Sequence, residues 1–194
     1  MYKLISHRGI KTKSIKENSY DAINNALLSD KYCGVEFDLR STKDNELIIY
    51  HDPIYKNKLI SNTLYNELPK YVPRLQDILK IKSNKIFLME IKNINNNYNK
   101  LINLLNKHLN KKIYVMSFSN KIIKKLDTQN RNYKLGILNY VLNTTDYTIN
   151  LDFIVILNKL LNEEVIKKLK SIEIFSYGVY TAMLYKNIYY IIDN

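Results

Sequence analysis

The sequence holds one cysteine, no tryptophan, four glycines and three prolines. The lone Cys33 excludes an internal disulfide and any zinc site built from cysteines, and its place inside an apolar run predicts a small buried side chain rather than a nucleophile. No run of eighteen uncharged apolar residues occurs, so no membrane-spanning helix is expected. The first dozen residues already carry a histidine, an arginine and lysines where a secretory leader needs an apolar stretch, which predicts a soluble, cytoplasmic protein. No segment repeats closely enough for a solenoid. Despite a formal charge of +12, no block of five or more basic residues is present; Lys11, Lys56, Lys80, Lys92, Lys121 and Lys168 are dispersed. That argues for a solvated basic surface over a nucleic-acid face, while still favouring an anionic small-molecule substrate and peripheral contact with an anionic membrane. Scarce glycine and proline beside abundant lysine, asparagine, isoleucine and tyrosine is the pattern an AT-rich coding bias produces.

What is present is a globular composition. A chain of 194 residues with 46% apolar and 25% charged residues predicts a single domain over residues 1–194. Nine short apolar, β-branched runs read as strands, at 2–7, 33–39, 46–51, 85–91, 112–118, 133–138, 151–157, 172–180 and 188–193. Helical spacing of leucine and isoleucine marks 19–30, 75–81, 99–109, 120–127 and 162–170. The alternation predicts a parallel sheet clad in helices, open or closed. One connection breaks the rhythm. "STKDNE" is too short for a crossover, so the runs at 33–39 and 46–51 form an antiparallel hairpin, predicted to turn at Asp44 and Asn45. Nine runs less this returning arm leave eight, the count of a (β/α)8 TIM barrel. That fold usually takes about 250 residues, so a compact barrel with reduced helices is expected.

A turn at Asp44 and Asn45 sets His51 opposite Asp38, and the two-residue period puts Glu36 on the same face. Val35, Phe37 and Leu39 then meet the helices while the acids point into the barrel. Buried carboxylates require an ion pair, a proton or a metal ion. The run "KIFLMEIK" repeats the device with Glu90 and Lys92. Glu36, Asp38 and Glu90 together supply three oxygen ligands suited to one hard cation, Mg²⁺ or Ca²⁺. Arg8 and Lys92 would face an anion. His7 ends the first strand, and two histidines beside a bound anion suit general acid and general base roles.

In this order, "HRG" (7–9), "ENS" (17–19), "VEFDLRSTKDNELIIYHD" (35–52), "PRLQDIL" (73–79), "MEIK" (89–92) and "SF" (117–118) resemble the glycerophosphodiester phosphodiesterase family. The resemblance covers about the first 120 residues. It implies a metal-dependent barrel that cleaves glycerophosphodiesters, with His7 and His51 as the acid/base pair, Glu36, Asp38 and Glu90 as ligands of one divalent cation, and Arg8 and Lys92 on the substrate phosphate. Glu17, Asn18, Arg40, Ser117 and Tyr180 are further candidates; Asn18 can cap the helix that follows, and Arg40 is a candidate phosphate contact. Toward the end the sequence departs from the family's Trp-Thr-Val-Asn, with Tyr180 for the tryptophan and Met183 for the asparagine. Two other readings stand beside hydrolysis of small glycerophosphodiesters. One keeps the site and takes a lysophospholipid or sphingolipid; the other is a non-catalytic binder of phosphodiesters or nucleic acid.

Overall fold

The structure is a computed structural model that describes residues 2–139, 150–179 and 185–194. Strands β1 (Lys3–His7), β2 (Gly34–Ser41) and β3 (Leu47–Ile49) are followed by the two-residue strands β4 (Ile54–Tyr55) and β5 (Lys58–Leu59). Then come β6 (Ile86–Asn93), β7 (Lys112–Ser117), β8 (Lys134–Asn139), β9 (Phe153–Leu157), β10 (Glu173–Tyr177) and β11 (Tyr189–Ile192). Eight of them run parallel in the order β1, β2, β6, β7, β8, β9, β10, β11, and β1 pairs with both β2 and β11. The sheet therefore closes on itself. It is the eight-stranded TIM barrel that the strand count predicts.

Helices α1 (Tyr20–Leu28), α2 (Leu75–Ile78), α3 (Tyr98–Asn106), α4 (Asn120–Leu126) and α5 (Glu163–Lys168) lie between strands. All are shorter than the sequence pattern suggests, and α2 is a single turn, which is how so short a chain completes the barrel. His108, placed by its spacing on the third helix, lies beyond that helix's end. Cys33 is half-buried, not buried as expected, and its thiol meets the Leu4 carbonyl at 3.2 Å. None of the described helices is long and apolar enough to cross a membrane.

The two-residue period sorts the strand side chains into two environments. Val35, Phe37 and Leu39 of β2 join Phe87, Met89 and Ile91 of β6 and Ile23 of α1 in the layer between sheet and helices. Inside the barrel, Tyr114, Phe153 and Phe175 meet with ring centroids 5.2–5.4 Å apart, and Tyr189 stacks on Phe175 at 4.5 Å. Gly136 makes room for this layer, since a Cβ there would lie 2.5 Å from the Phe153 ring. Leu88, Met116, Leu138 and Val155 pack in the same interior cluster. At the C-terminal ends of β2 and β6 the inward positions become Glu36, Asp38, Glu90 and Lys92.

The hairpin forms, but with a register one residue away from the expected one. Leu39 pairs with Ile49, Arg40 with Ile48 and Ser41 with Leu47. The loop has three residues rather than two. Thr42 N–H donates to the Glu46 carbonyl at 3.0 Å, and Asn45 N–H donates to the Thr42 carbonyl at 3.1 Å. Asn45 takes φ +60, the left-handed residue that ends a three-residue hairpin loop. Asp38 consequently faces Tyr50, whose N–H donates to its carbonyl at 2.9 Å, and not His51. Since β3 stops at Ile49, His51 is released from the ladder's alternation and still reaches the barrel mouth.

Candidate active site

Strand register brings the polar residues level at the C-terminal ends of β1, β2 and β6. His7 pairs with Glu36 across β1 and β2, and Asp38 with Glu90 across β2 and β6. Paired residues share a face. Carboxylate oxygens of Glu36, Asp38 and Glu90 accordingly lie within 4.8 Å of one another, all three residues buried.

Two cations partly offset these three acids. Lys92 Nζ sits 2.6 Å from Glu90 Oε1 and 3.3 Å from Asp38 Oδ1, and Arg8 Nε sits 3.2 Å from Asp38 Oδ2. Arg8 is delivered by an abrupt turn after β1, with φ +55 at Arg8 and +79 at Gly9. Only glycine fits the second position, because a Cβ there would lie 2.4 Å from the Ala22 carbonyl carbon of α1. The turn aims the Arg8 N–H at Glu36 Oε2, 3.2 Å away.

Burial pushes the Glu36 carboxyl well above the ordinary range, and the charges of Asp38 and Glu90 push it further. Burial raises Glu90 as well, against the pull of Lys92. Lys92 and Arg8 are shifted up: burial works against their charge, but the neighbouring carboxylates outweigh it. Asp38 Oδ2 accepts from Asn18 Nδ2 at 2.8 Å, whereas Oδ1 is buried without a hydrogen bond, its Lys92 neighbour lying outside hydrogen-bond geometry. Clustered carboxylates, one with an orphaned oxygen, suit a hard divalent cation.

Each histidine spends Nδ1 on a carboxylate outside that cluster. His7 Nδ1 lies 2.7 Å from Asp193 Oδ1, and its Nε2 lies 3.8 Å from Glu36 Oε2. His51 Nδ1 lies 2.8 Å from Asp52 Oδ1. Asn194, next to Asp193, donates to Ser6 Oγ at 3.0 Å and to the Gly9 carbonyl at 2.7 Å, tying this end of the chain to β1.

A cavity of about 480 Å³ opens onto His7, Arg8, Glu36, His51, Glu90 and Lys92. The remaining lining is largely apolar, with Met116, Leu138, Val179 and Ile191 contributing. Asp38 is buried against Arg8, Lys92 and Asn18. Glu17 holds Arg8 Nη1 at 2.7 Å. Asn18 is not the cap of α1; Ser19 is, accepting from the Ala22 N–H, while Asn18 takes φ +58 and turns its amide to Asp38. Ser117 stays outside the cavity, its hydroxyl donating to the Ile91 carbonyl at 2.8 Å. Arg40 Nε donates to the His51 carbonyl at 2.8 Å, and Arg40 lines a different cavity. Tyr180 and Met183 lie outside the described residues. Sequence reasoning missed Asp193, Asp52 and the apolar lining.

Residues 7–71 match the model of the glycerophosphoryl diester phosphodiesterase family. Solved structures of similar architecture agree. The fold is that of the glycerophosphodiester phosphodiesterases. One such enzyme, from Parabacteroides distasonis, superposes with a TM-score of 0.78 at 22% identity, over 93% of this chain and 85% of that one. Another, from Thermotoga maritima, gives a TM-score of 0.76 at 20% identity over 100% and 94%. A phosphodiesterase from Oleispira antarctica, solved with sn-glycerol-3-phosphate as product, gives 0.78 at 14% identity over 91% and 84%. None of the curated proteins matches the sequence.

Proposed function

We propose that this chain is a divalent-metal-dependent hydrolase that converts glycerophosphodiesters to glycerol 3-phosphate and an alcohol. The observation that carries the reading is the buried acid cluster of Glu36, Asp38 and Glu90, flanked in one cavity by His7 and His51. The family match over residues 7–71 supports the reaction class, and the Oleispira neighbour supports the product.

Glu36, Asp38 and Glu90 would hold one Mg²⁺ or Ca²⁺, which when bound polarises a phosphoryl oxygen as a Lewis acid. Arg8 and Lys92 border the same cavity and supply positive charge to the phosphate, Lys92 by exchanging its carboxylate partners for it. The two histidines divide the proton work. One takes the proton of the attacking hydroxyl, that of water or the glycerol 2-hydroxyl (which gives a cyclic phosphate that water then opens to glycerol 3-phosphate), and the other gives a proton to the departing alcohol oxygen. Their Nδ1 contacts with Asp193 and Asp52 leave Nε2 of each ring for that task.

Purified protein is expected to release glycerol 3-phosphate from glycerophosphocholine with Mg²⁺ or Ca²⁺. EDTA should abolish release, and His7→Ala or His51→Ala should lower kcat by ~10²–10⁴-fold; turnover unchanged in EDTA would end the metal reading. The apolar lining favours a second reading in which the substrate is a lysophospholipid whose acyl chain lies along that lining and whose headgroup is the departing alcohol. Release of headgroup from lysophosphatidylcholine in the same assay tests it.

A further inference from the structure

We propose that the cavity beside Arg40 is a second anion subsite, taking one small oxyanion. That oxyanion is either a phosphate or carboxylate on the alcohol half of the substrate, or free phosphate.

The chain has four arginines. Arg8 pairs with Glu17 and Asp38, Arg74 with Glu46, and Arg131 with Asp127 and Asp152. Arg40 alone makes no ion pair among the described residues. Its Nε is committed to the His51 carbonyl, but neither Nη group has a hydrogen-bond partner among the described residues. A cavity of about 100 Å³ adjoins it, roughly three times the ~30 Å³ share of one water.

The lining is matched to an anion. Ser61 and Asn93 contribute polar groups, the Ser41 hydroxyl is already engaged by the Thr42 carbonyl and Asn97 Nδ2, Pro53, Leu59 and Ile60 wall the space, and no carboxylate takes part. Asn93 Oδ1 already accepts from the Asn95 N–H at 2.9 Å, which leaves the Asn93 amide nitrogen free to donate. The Ser61 hydroxyl has no partner among the described residues. A guanidinium edge, an amide and a hydroxyl are all donors, the set that recognises an oxyanion. Bracing the His51 carbonyl uses Nε alone and leaves both Nη groups available to a ligand.

Arg40 is two residues beyond Asp38 on the same face of β2, roughly 7 Å along the strand, within the span of one substrate. The substrate-borne form of the proposal rests on the phosphodiesterase reading; the free-anion form does not.

Two measurements test it. The first compares kcat/KM for glycerophosphocholine with that for a glycerophosphodiester whose alcohol carries a phosphate, in wild type and Arg40→Gln. The preference for the phosphorylated alcohol should fall by about tenfold, the weight of one charge-assisted hydrogen bond. A ratio is read because a disturbed His51 carbonyl slows both substrates alike. Ser61→Leu, which fills the cavity and leaves Arg40 in place, should lower the same ratio and serves if Arg40→Gln does not fold. In the second, inorganic phosphate is titrated calorimetrically into Mg²⁺-loaded protein, where wild type should bind one phosphate more per chain than either variant. A lowered ratio assigns the anion to the substrate. An unchanged ratio with the extra phosphate lost assigns a free anion. Equal ratios and equal phosphate stoichiometry overturn the proposal. If neither substrate is hydrolysed, the phosphodiesterase reading fails and the phosphate titration alone decides the subsite.

Discussion

His7 and His51 are each braced by an aspartate that the acid cluster does not use, and the two braces have different origins. Asp52 follows its histidine directly, whereas Asp193 comes from 186 residues away. A carboxylate on Nδ1 holds that nitrogen protonated and leaves Nε2 as the nitrogen that exchanges protons. In the proposed reaction, Asp193→Ala should lower kcat by about tenfold or more, with KM changed less than about twofold, and Asp193→Asn, which keeps an acceptor oxygen, should recover part of the loss. Steady-state kinetics separates the two parameters; an equal rise in KM would mean that Asp193 serves binding instead. No local pattern could have pointed to Asp193, because its role depends on β11 pairing with β1 to close the barrel. Glu36, Asp38, Glu90 and Lys92 were legible for the opposite reason: each sits two positions from another on one strand, where the period alone fixes a common face.

At the scale of elements, the hairpin shows where a pattern stops being informative. Alternation and a short connection suffice to predict two antiparallel strands. Whether the loop holds two residues or three depends on the backbone angle of Asn45, which no hydrophobic pattern encodes. Asn45→Val should destabilise the protein by about 1–2 kcal/mol, because a β-branched residue resists φ +60, whereas Asn45→Gly should stay within about 1 kcal/mol of wild type. Denaturant unfolding of the two variants checks the contrast; equal losses would show that the Asn97 Nδ2 contact to Asn45 Oδ1, absent from both, matters more than the backbone. A second small hairpin, β4–β5, escaped notice for a related reason. Its turn puts Lys56 and Asn57 at φ +46 and +62, a pairing of angles that lysine seldom advertises. Asn18 looked like a helix cap for want of any signal that Ser19 would take that place and leave its amide for Asp38.

Across the whole molecule, three carboxylates gathered in one interior make stability depend on pH and, in the proposed reading, on metal. Folding raises Glu36 and Glu90 above their ordinary value of 4.5. A carboxyl raised in the folded state favours folding fully below that value, and the advantage is lost as pH climbs through the raised one. Metal-free protein should therefore lose stability through these groups as pH rises above 4.5. The divalent cation proposed for this cluster would bind the charged forms and reverse the trend, adding about 2.7 kcal/mol at a hundredfold excess over Kd. Thermal unfolding in EDTA and in Mg²⁺ or Ca²⁺ should show a Tm gap that widens with pH; a gap independent of pH would mean that the metal does not contact these acids.

The four rings of Tyr114, Phe153, Phe175 and Tyr189 stopper the barrel beneath that chemistry. The barrel is thus a cup and not a tunnel. In the proposed reaction both halves of the cleaved diester back out over the same lip by which the intact molecule came in, so the piece still seated is in the way of the next arrival.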